Sequence, residues 1–164
     1  WFSIVTVYCP NSGAGLRRLD YRCKEWDPTL AAYLSHLKET SQHVLVCGDF
    51  NVAHRDSDFY NPSEKRMELQ AGTTPEERAS FSDLFLSAGR GVFVDTFRSV
   101  HGDVSGVYTY WSARARNKPF NRGLRLDYFL SSPSIALLDS FVLDHVTGSD
   151  HCPIGVDFHL PRTL

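Results

Sequence analysis

"HVLVCGDFN", residues 43–51, runs four apolar residues into a glycine and then sets Asp49 and Asn51 one phenylalanine apart. The apolar run, short and stopped by glycine, reads as a buried strand. Gly, Asp and Asn are also common turn residues, so a turn and a functional site fit this stretch equally. While the backbone stays extended, Asp49 and Asn51 project from the same face. Gly48 lets the chain turn off the strand without a β-carbon penalty. A carboxylate beside an amide at a strand end can hold a water, the first accepting its proton and the second orienting it.

Working outward, residues 2–8 are rich in β-branched and aromatic types and read as a strand. "CPNSGAG" is a loop. Leu16, Leu19, Cys23, Trp26, Leu30, Tyr33 and Leu37 recur at helical spacing, and Pro28 interrupts them. Either Asp27 caps a fresh helix with Pro28 in its first turn, or the proline kinks a continuous one. "TTPEERASFSDLFLSAG" predicts a helix with Thr74 as cap, Pro75 in its first turn, early acids and a terminal Gly89. Residues 100–106 read as a loop, "VYTYW" as strand-like and 112–123 as a basic loop. "LRLDYFLS", "DSFVLDHV" and "CPIGVDFHL" read as strands, the last alternating Ile154, Val156, Phe158 and Leu160.

A chain of 164 residues with a net charge of −2 suits one mixed α/β unit with a sizeable core. Any nucleic-acid contact must come from a local patch. No apolar run approaches membrane-spanning length, so no membrane partner is expected. Cys9, Cys23, Cys47 and Cys152 are scattered, which suits buried thiols and a reducing compartment better than disulfides or a zinc site. "WFSIVTVY" opens the chain as a core strand without a lead-in, which suggests a piece of something longer.

Three further clusters can carry chemistry. In "GSDHCP", residues 148–153, Asp150 and His151 point to opposite sides of an extended chain and suit different tasks. An imidazole there can stabilise phosphoryl charge or move a proton. Asp127, in the apolar strand "GLRLDYFLS", needs a partner. Either Arg125 or another arginine pairs with it, or it holds the ring of His151. Arg114, Arg116, Lys118, Arg122 and Arg125 follow Tyr108, Tyr110 and Trp111, a mixture that suits a phosphate backbone or a solvated loop over aromatics.

Together and in order, "VYCPNSG", "GDFNVAH", "TPEER", "DTFR", "YTYW", "RLDYF" and "GSDHCPI" resemble the motifs of the exonuclease III-type abasic-site endonucleases, within the endonuclease/exonuclease/phosphatase superfamily. The resemblance runs from Val5 to Leu160. It implies a four-layered α/β sandwich of the DNase I-like type, of which residues 1–164 would be the C-terminal lobe. It implies Mg²⁺-dependent hydrolysis 5′ to an abasic site in double-stranded DNA, with Mn²⁺ as a substitute and 3′-exonuclease and 3′-phosphodiesterase activities in view. Asp49 would activate the water and Asn51 orient it. His151 would contact the scissile phosphate, held by Asp127. Asp150 would bind the metal, with Asp49, Asn51 and His151 beside it. Tyr8 and Asn11 match positions that touch the target phosphate. Tyr110, Leu124 and Leu126 match the wall of the pocket for the flipped sugar, and Trp111 and Arg114 flank it as DNA contacts.

Two departures bear on substrate preference: Leu124 stands where many members have Trp, and Ala14 where some have Arg. The resemblance also implies an N-terminal lobe with a metal-binding glutamate, supplied in cis or as a separate chain. Without it the isolated residues 1–164 are expected to be inactive. Another phosphodiesterase of the superfamily and a nonenzymatic DNA-binding fragment are the rival readings. "RLDYF", "TPEER" and the "NP" after "GDFNVAH" favour the abasic-endonuclease group. A nuclear or other intracellular reducing compartment is expected, organelles included.

Overall fold

The computed structural model describes residues 1–87, 89 and 91–159. The β-branched run at the start forms β1 (Phe2–Tyr8), followed by a short helix α1 (Leu19–Tyr21), a π-helical turn (Arg22–Trp26) and α2 (Asp27–Thr40). The chain then returns as β2 (His43–Asp49), parallel to β1, with Tyr8 opposite Asp49. A parallel return of this kind needs a crossover, and the helices provide it. A long excursion carries α3 (Pro75–Phe85), β3 (Val94–Asp95) and α4 (Thr96–His101). β4 (Asp127–Ser131) pairs antiparallel with the other edge of β2, which sets Asp127 opposite Asp49. The sheet order is β1-β2-β4-β3, and β5 (Ala136–Val142) and β6 (Ile154–His159) form a second, antiparallel pair. One consequence governs the site. Tyr8, Asp49 and Asp127 lie in a single row across the same end of the sheet.

Helices α2 and α3 cover one face, where Leu34, Val44, Val46, Phe50, Phe81, Phe85, Tyr128 and Leu130 make the main core. The second sheet lies over the other face, with Phe158 stacked on Phe2 at 5.4 Å. Ile4, also on β1, is 62% exposed. The mixed α/β class therefore stands as expected.

Pro28 does not start a new helix. Asp27 is itself helical and makes no cap bond. The π-turn absorbs the missing proline N–H, because its wider ring lets the Asp27 N–H reach the Arg22 carbonyl. The Asp27 carboxylate turns inward to the buried Arg22 guanidinium at 2.6 Å. Helix α3 begins at the anticipated cap, Thr74, which forms a reciprocal capping box with Glu77, but it ends at Phe85 rather than running to Gly89. Leu86 is extended and bridges Phe93, so the tertiary pairing outweighs the last turn.

The second half departs further from the pattern. α4 and β3 fall where no element was expected, and Val100 and His101 belong to α4 rather than a loop. "VYTYW" is not a continuous strand: Tyr110 makes single bridges to both Leu124 and His151. β4 begins only at Asp127, and β5 begins at Ala136 rather than Asp139, ending where Leu143 turns to Pro153. Leu160, expected to close the last strand, lies outside the described residues. All four cysteines are free thiols. Burial pushes those of Cys9, Cys23 and Cys152 up to about 11.

Candidate active site

Gly48 is required by a close approach: at φ +136°, a β-carbon there would sit 2.0 Å from the Val7 carbonyl oxygen. One residue on, β2 ends in an Asx turn. The Asn51 N–H donates to Asp49 Oδ1 at 2.8 Å, and Asn51 takes φ +49°. Its side-chain nitrogen donates to Asp49 Oδ2 at 2.9 Å and to the Cys9 carbonyl at 3.0 Å. Its Oδ1 accepts from Asn11 Nδ2 at 2.9 Å. This corrects the expectation of two side chains on one face of an extended strand. Both amide N–H groups of Asn51 are committed, so Asn51 orients the Asp49 carboxylate rather than a water directly. Burial, and then Asp127, push the Asp49 carboxyl up to about 6, against the hydrogen bond from Asn51 and the charges of His151 and Arg22.

Opposite Asp49 in the sheet, Asp127 Oδ2 meets His151 Nδ1 at 2.8 Å. Thr109 Oγ1 accepts from the N–H groups of Leu126 and Asp127 and so fixes where the carboxylate starts. The alternative pairing with Arg125 is absent. That guanidinium is buried and held by Asp58 at 2.7 Å and Asp95 at 2.6 Å, so it also leaves the basic patch. The Asp127 bond, outweighing desolvation, raises the His151 pKa above its ordinary value. Tyr110 packs on the imidazole with ring centres 4.9 Å apart. With Nδ1 taken, Nε2 is the ring nitrogen left for other partners.

These groups open onto a cleft of about 780 Å³ lined by Tyr8, Asn11, Asp49, Asn51, Asp150 and His151, with Tyr110, Leu124 and Leu126 as its wall. Two expected DNA contacts are placed elsewhere. Trp111 is 4% exposed behind the wall, its indole donating to Asn121 and covered by Lys118 at 4.8 Å. Arg114 stands on an exposed turn beyond the cleft lining, whereas Arg122 of the same basic loop lines it. Tyr60, Arg66, Gln70 and Asn117 also line the cleft and were missed by sequence reasoning. Tyr60 and Arg66 touch each other through Arg66 Nη2 and the tyrosine hydroxyl at 2.9 Å. The polar tract before "TPEER" was the signal available for Arg66 and Gln70, but a charged irregular segment alone does not say which way it faces.

The oxygen donors Asp49 and Asp150 suit a hard cation. Yet both Asp49 oxygens accept from Asn51, and Asn51 Oδ1 and His151 Nδ1 already have partners. Among the described residues, no group of three or more His, Cys, Asp or Glu is placed to hold an ion. The four expected ligands, Asp49, Asn51, Asp150 and His151, therefore share a cleft without forming a complete metal site by themselves.

Fold and cleft define a class: a mixed α/β chain with helices on one face of its main sheet, a second sheet on the other, and a carboxylate–amide turn beside an Asp–His pair at the strand ends. The chain belongs to the endonuclease/exonuclease/phosphatase family, whose description matches residues 2–151. It is 47% identical over 161 residues to a DNA-(apurinic or apyrimidinic site) endonuclease of Dictyostelium discoideum, covering 94% of this chain and 42% of that protein. It is 43% identical over 153 residues to an exodeoxyribonuclease of Bacillus subtilis, covering 92% of this chain and 58% of the relative. The AP endonuclease LMAP of Leishmania major superposes with a TM-score of 0.90 at 37% identity, over 98% of this chain and 50% of that one. The chain thus has the DNase I-like α/β fold and spans about half the length of the relatives it matches.

Proposed function

We propose that the protein carrying this chain is a DNA repair nuclease that hydrolyses the phosphodiester 5′ to an abasic site in double-stranded DNA. The observation that carries the reading is the convergence of Asp49–Asn51 and Asp127–His151 on one cleft with an apolar wall of Leu124 and Leu126. Asp49, raised to about 6, is ionised at neutral pH yet basic enough to take a proton from an attacking water. Asn51 keeps that carboxylate in one orientation. His151, with its raised pKa and Nδ1 held by Asp127, presents Nε2 as a donor to a phosphoryl oxygen on which charge develops. Tyr8 and Asn11, at the β1 exit, lie where the same phosphate would be gripped. The aliphatic wall suits a deoxyribose without a base, and extruding such a nucleotide costs less than extruding an intact one.

In this reading the chain is the C-terminal lobe of one catalytic domain. Mg²⁺, replaceable by Mn²⁺, would supply Lewis-acid stabilisation of phosphoryl charge. Asp150, whose Oδ1 accepts a bond from Ser149 Oγ at 3.4 Å, would be this lobe's carboxylate toward it, and the remaining ligands would come from the other lobe. 3′-Exonuclease and 3′-phosphodiesterase activities belong to the same proposal, as does a nuclear, organellar or other reducing intracellular location, in keeping with the free thiols.

The test compares the intact protein on an abasic duplex, an undamaged duplex and an inositol phosphate, with Mg²⁺ and with chelator. Selective Mg²⁺-dependent incision 5′ to the lesion is expected, with residues 1–164 alone inactive. Preference for the inositol phosphate, or DNA binding without incision, would overturn the reading.

A further inference from the structure

We propose that Arg22 is a positioning residue for this site: one buried guanidinium locks the exits of β1 and β2 together and so sets Asp49 and Asn51 against Tyr8 and Asn11. The proposal rests on the phosphodiesterase reading above. Arg22 is fully buried in the π-turn. Its Nη1 donates to the Pro10 carbonyl at 2.8 Å and its Nη2 to the Phe50 carbonyl at 2.5 Å. Pro10 lies between Tyr8 and Asn11, and Phe50 between Asp49 and Asn51. The third arm, Nε, donates to Asp27 Oδ1 at 2.6 Å, and Asp27 Oδ2 accepts from Ser80 Oγ of α3 at 2.8 Å. The guanidinium therefore ties both loops to the two helices beneath them.

The loops need such a tie. Pro10 has no N–H, so its carbonyl is the residue's one backbone hydrogen-bonding group. Asn51 holds φ +49°, a left-handed conformation that asparagine adopts more readily than most residues and that the Asx turn alone does not lock. The turn is gripped from several sides. The Asp49 carbonyl accepts from Cys9 N–H, Phe50 N–H donates to the Leu126 carbonyl, and the Phe50 carbonyl goes to Arg22. Removing the guanidinium leaves a buried carbonyl unpaired at the centre of that turn. Lysine keeps the charge but cannot reproduce a planar fork with three fixed directions.

The test uses the intact protein as Arg22→Lys and Arg22→Gln, read by steady-state incision of an abasic duplex and by amide hydrogen exchange. We expect kcat to fall about 30-fold or more in both, equivalent to about 2 kcal/mol, with KM within about threefold of the parent. The amides of Cys9, Phe50 and Asn51 should exchange at least about tenfold faster, with those of Val44–Val46 unchanged. Unchanged exchange at the three amides overturns the lock whatever the activity. Faster exchange with full kcat, or a parental kcat in Arg22→Lys, overturns its role in positioning. Faster exchange in a protein whose parent does not cut abasic DNA refutes the phosphodiesterase reading and leaves the lock standing. Should both Arg22 variants fail to fold, Ser80→Ala removes only the outer brace. It should speed exchange at the same three amides severalfold, and parental rates there would overturn the proposal.

Discussion

Replacing Asp49 with asparagine should remove activity and make the protein more stable at neutral pH. The carboxyl moves from an ordinary 3.8 to about 6 in the folded protein, chiefly through burial and the neighbouring Asp127. Between those values the native state holds more protons than the unfolded state, so stability falls as pH rises. The loss is complete above the folded value. At about 1.36 kcal/mol per pH unit it amounts to about 3 kcal/mol. Partial solvent access lowers that, and the substituted amide would keep only one of the two hydrogen bonds that Asn51 donates. A net gain of about 1–2 kcal/mol for Asp49→Asn is therefore expected at pH 8. At pH 4 the gain should vanish or reverse. The assay is thermal unfolding of the intact protein in chelator at both pH values, where each kcal/mol is worth about 2–4 °C. An equal difference in Tm at pH 4 and pH 8 would show that burial does not raise this carboxyl. Incision should fall about 10²–10⁴-fold with DNA binding retained. Equal loss of both would make Asp49 structural.

Other expectations follow from the same geometry. Asp127→Asn removes the bond that raises His151, so its pKa, followed by NMR titration, should drop. The stability that protonated His151 contributes, present below 6.5 and lost as pH rises through the folded value, should go with it. Activity should fall about 10²–10⁴-fold, and an unmoved His151 titration would refute the pair. Gly48→Ala drives a β-carbon into the Val7 carbonyl. A loss of at least about 3 kcal/mol by urea unfolding is expected, and a neutral effect would mean the strands can part there. Leu124→Ala, at a 6% exposed position packed with Phe59, Met67 and Leu126, should cost about 2–4 kcal/mol. It should also lower the preference for abasic over base-bearing nucleotides, and unchanged selectivity would remove Leu124 from the pocket wall.

Local pattern carried much of the fold. The strands read at 2–8 and 43–47 and the Thr74 helix cap each depend on neighbours within a few residues, so the sequence alone displays them, although the second strand runs on to Asp49. What failed depended on distance. Arg125 sits in the sequence with the basic patch, yet it is buried against Asp58 and Asp95, which are 67 and 30 residues away, while Asp127 meets His151 as expected. The "VYTYW" stretch has strand composition, but Tyr110 divides its bridges between Leu124 and His151 and so builds the cleft wall instead of a ladder. Trp111 reads as a DNA contact in the sequence because aromatic residues beside cations suit nucleic acid. The same composition suits a core residue roofed by Lys118, and only packing distinguishes them.

The site is legible where its residues end strands. Asp49 and Asp127 share a row because β2 and β4 pair in one register, and Asn51 enters through a turn bonded to that row. Turn and site were therefore never alternatives for "HVLVCGDFN". The Asx turn occupies both oxygens of Asp49 with Asn51, which gives a half-buried carboxylate a fixed direction, and desolvation raises its pKa to about 6. On the proposed reading this turn residue is the reactive one, because its surroundings restrict the solvent an ordinary turn would have. That requirement falls on the helices behind the sheet. Arg22 and Asp27 look like parts of a proline-broken helix in the sequence, yet in the fold they close the back of the turn. The π-turn that admits Pro28 contains Arg22, so the irregularity in the helix and the geometry at Asp49 are parts of one construction.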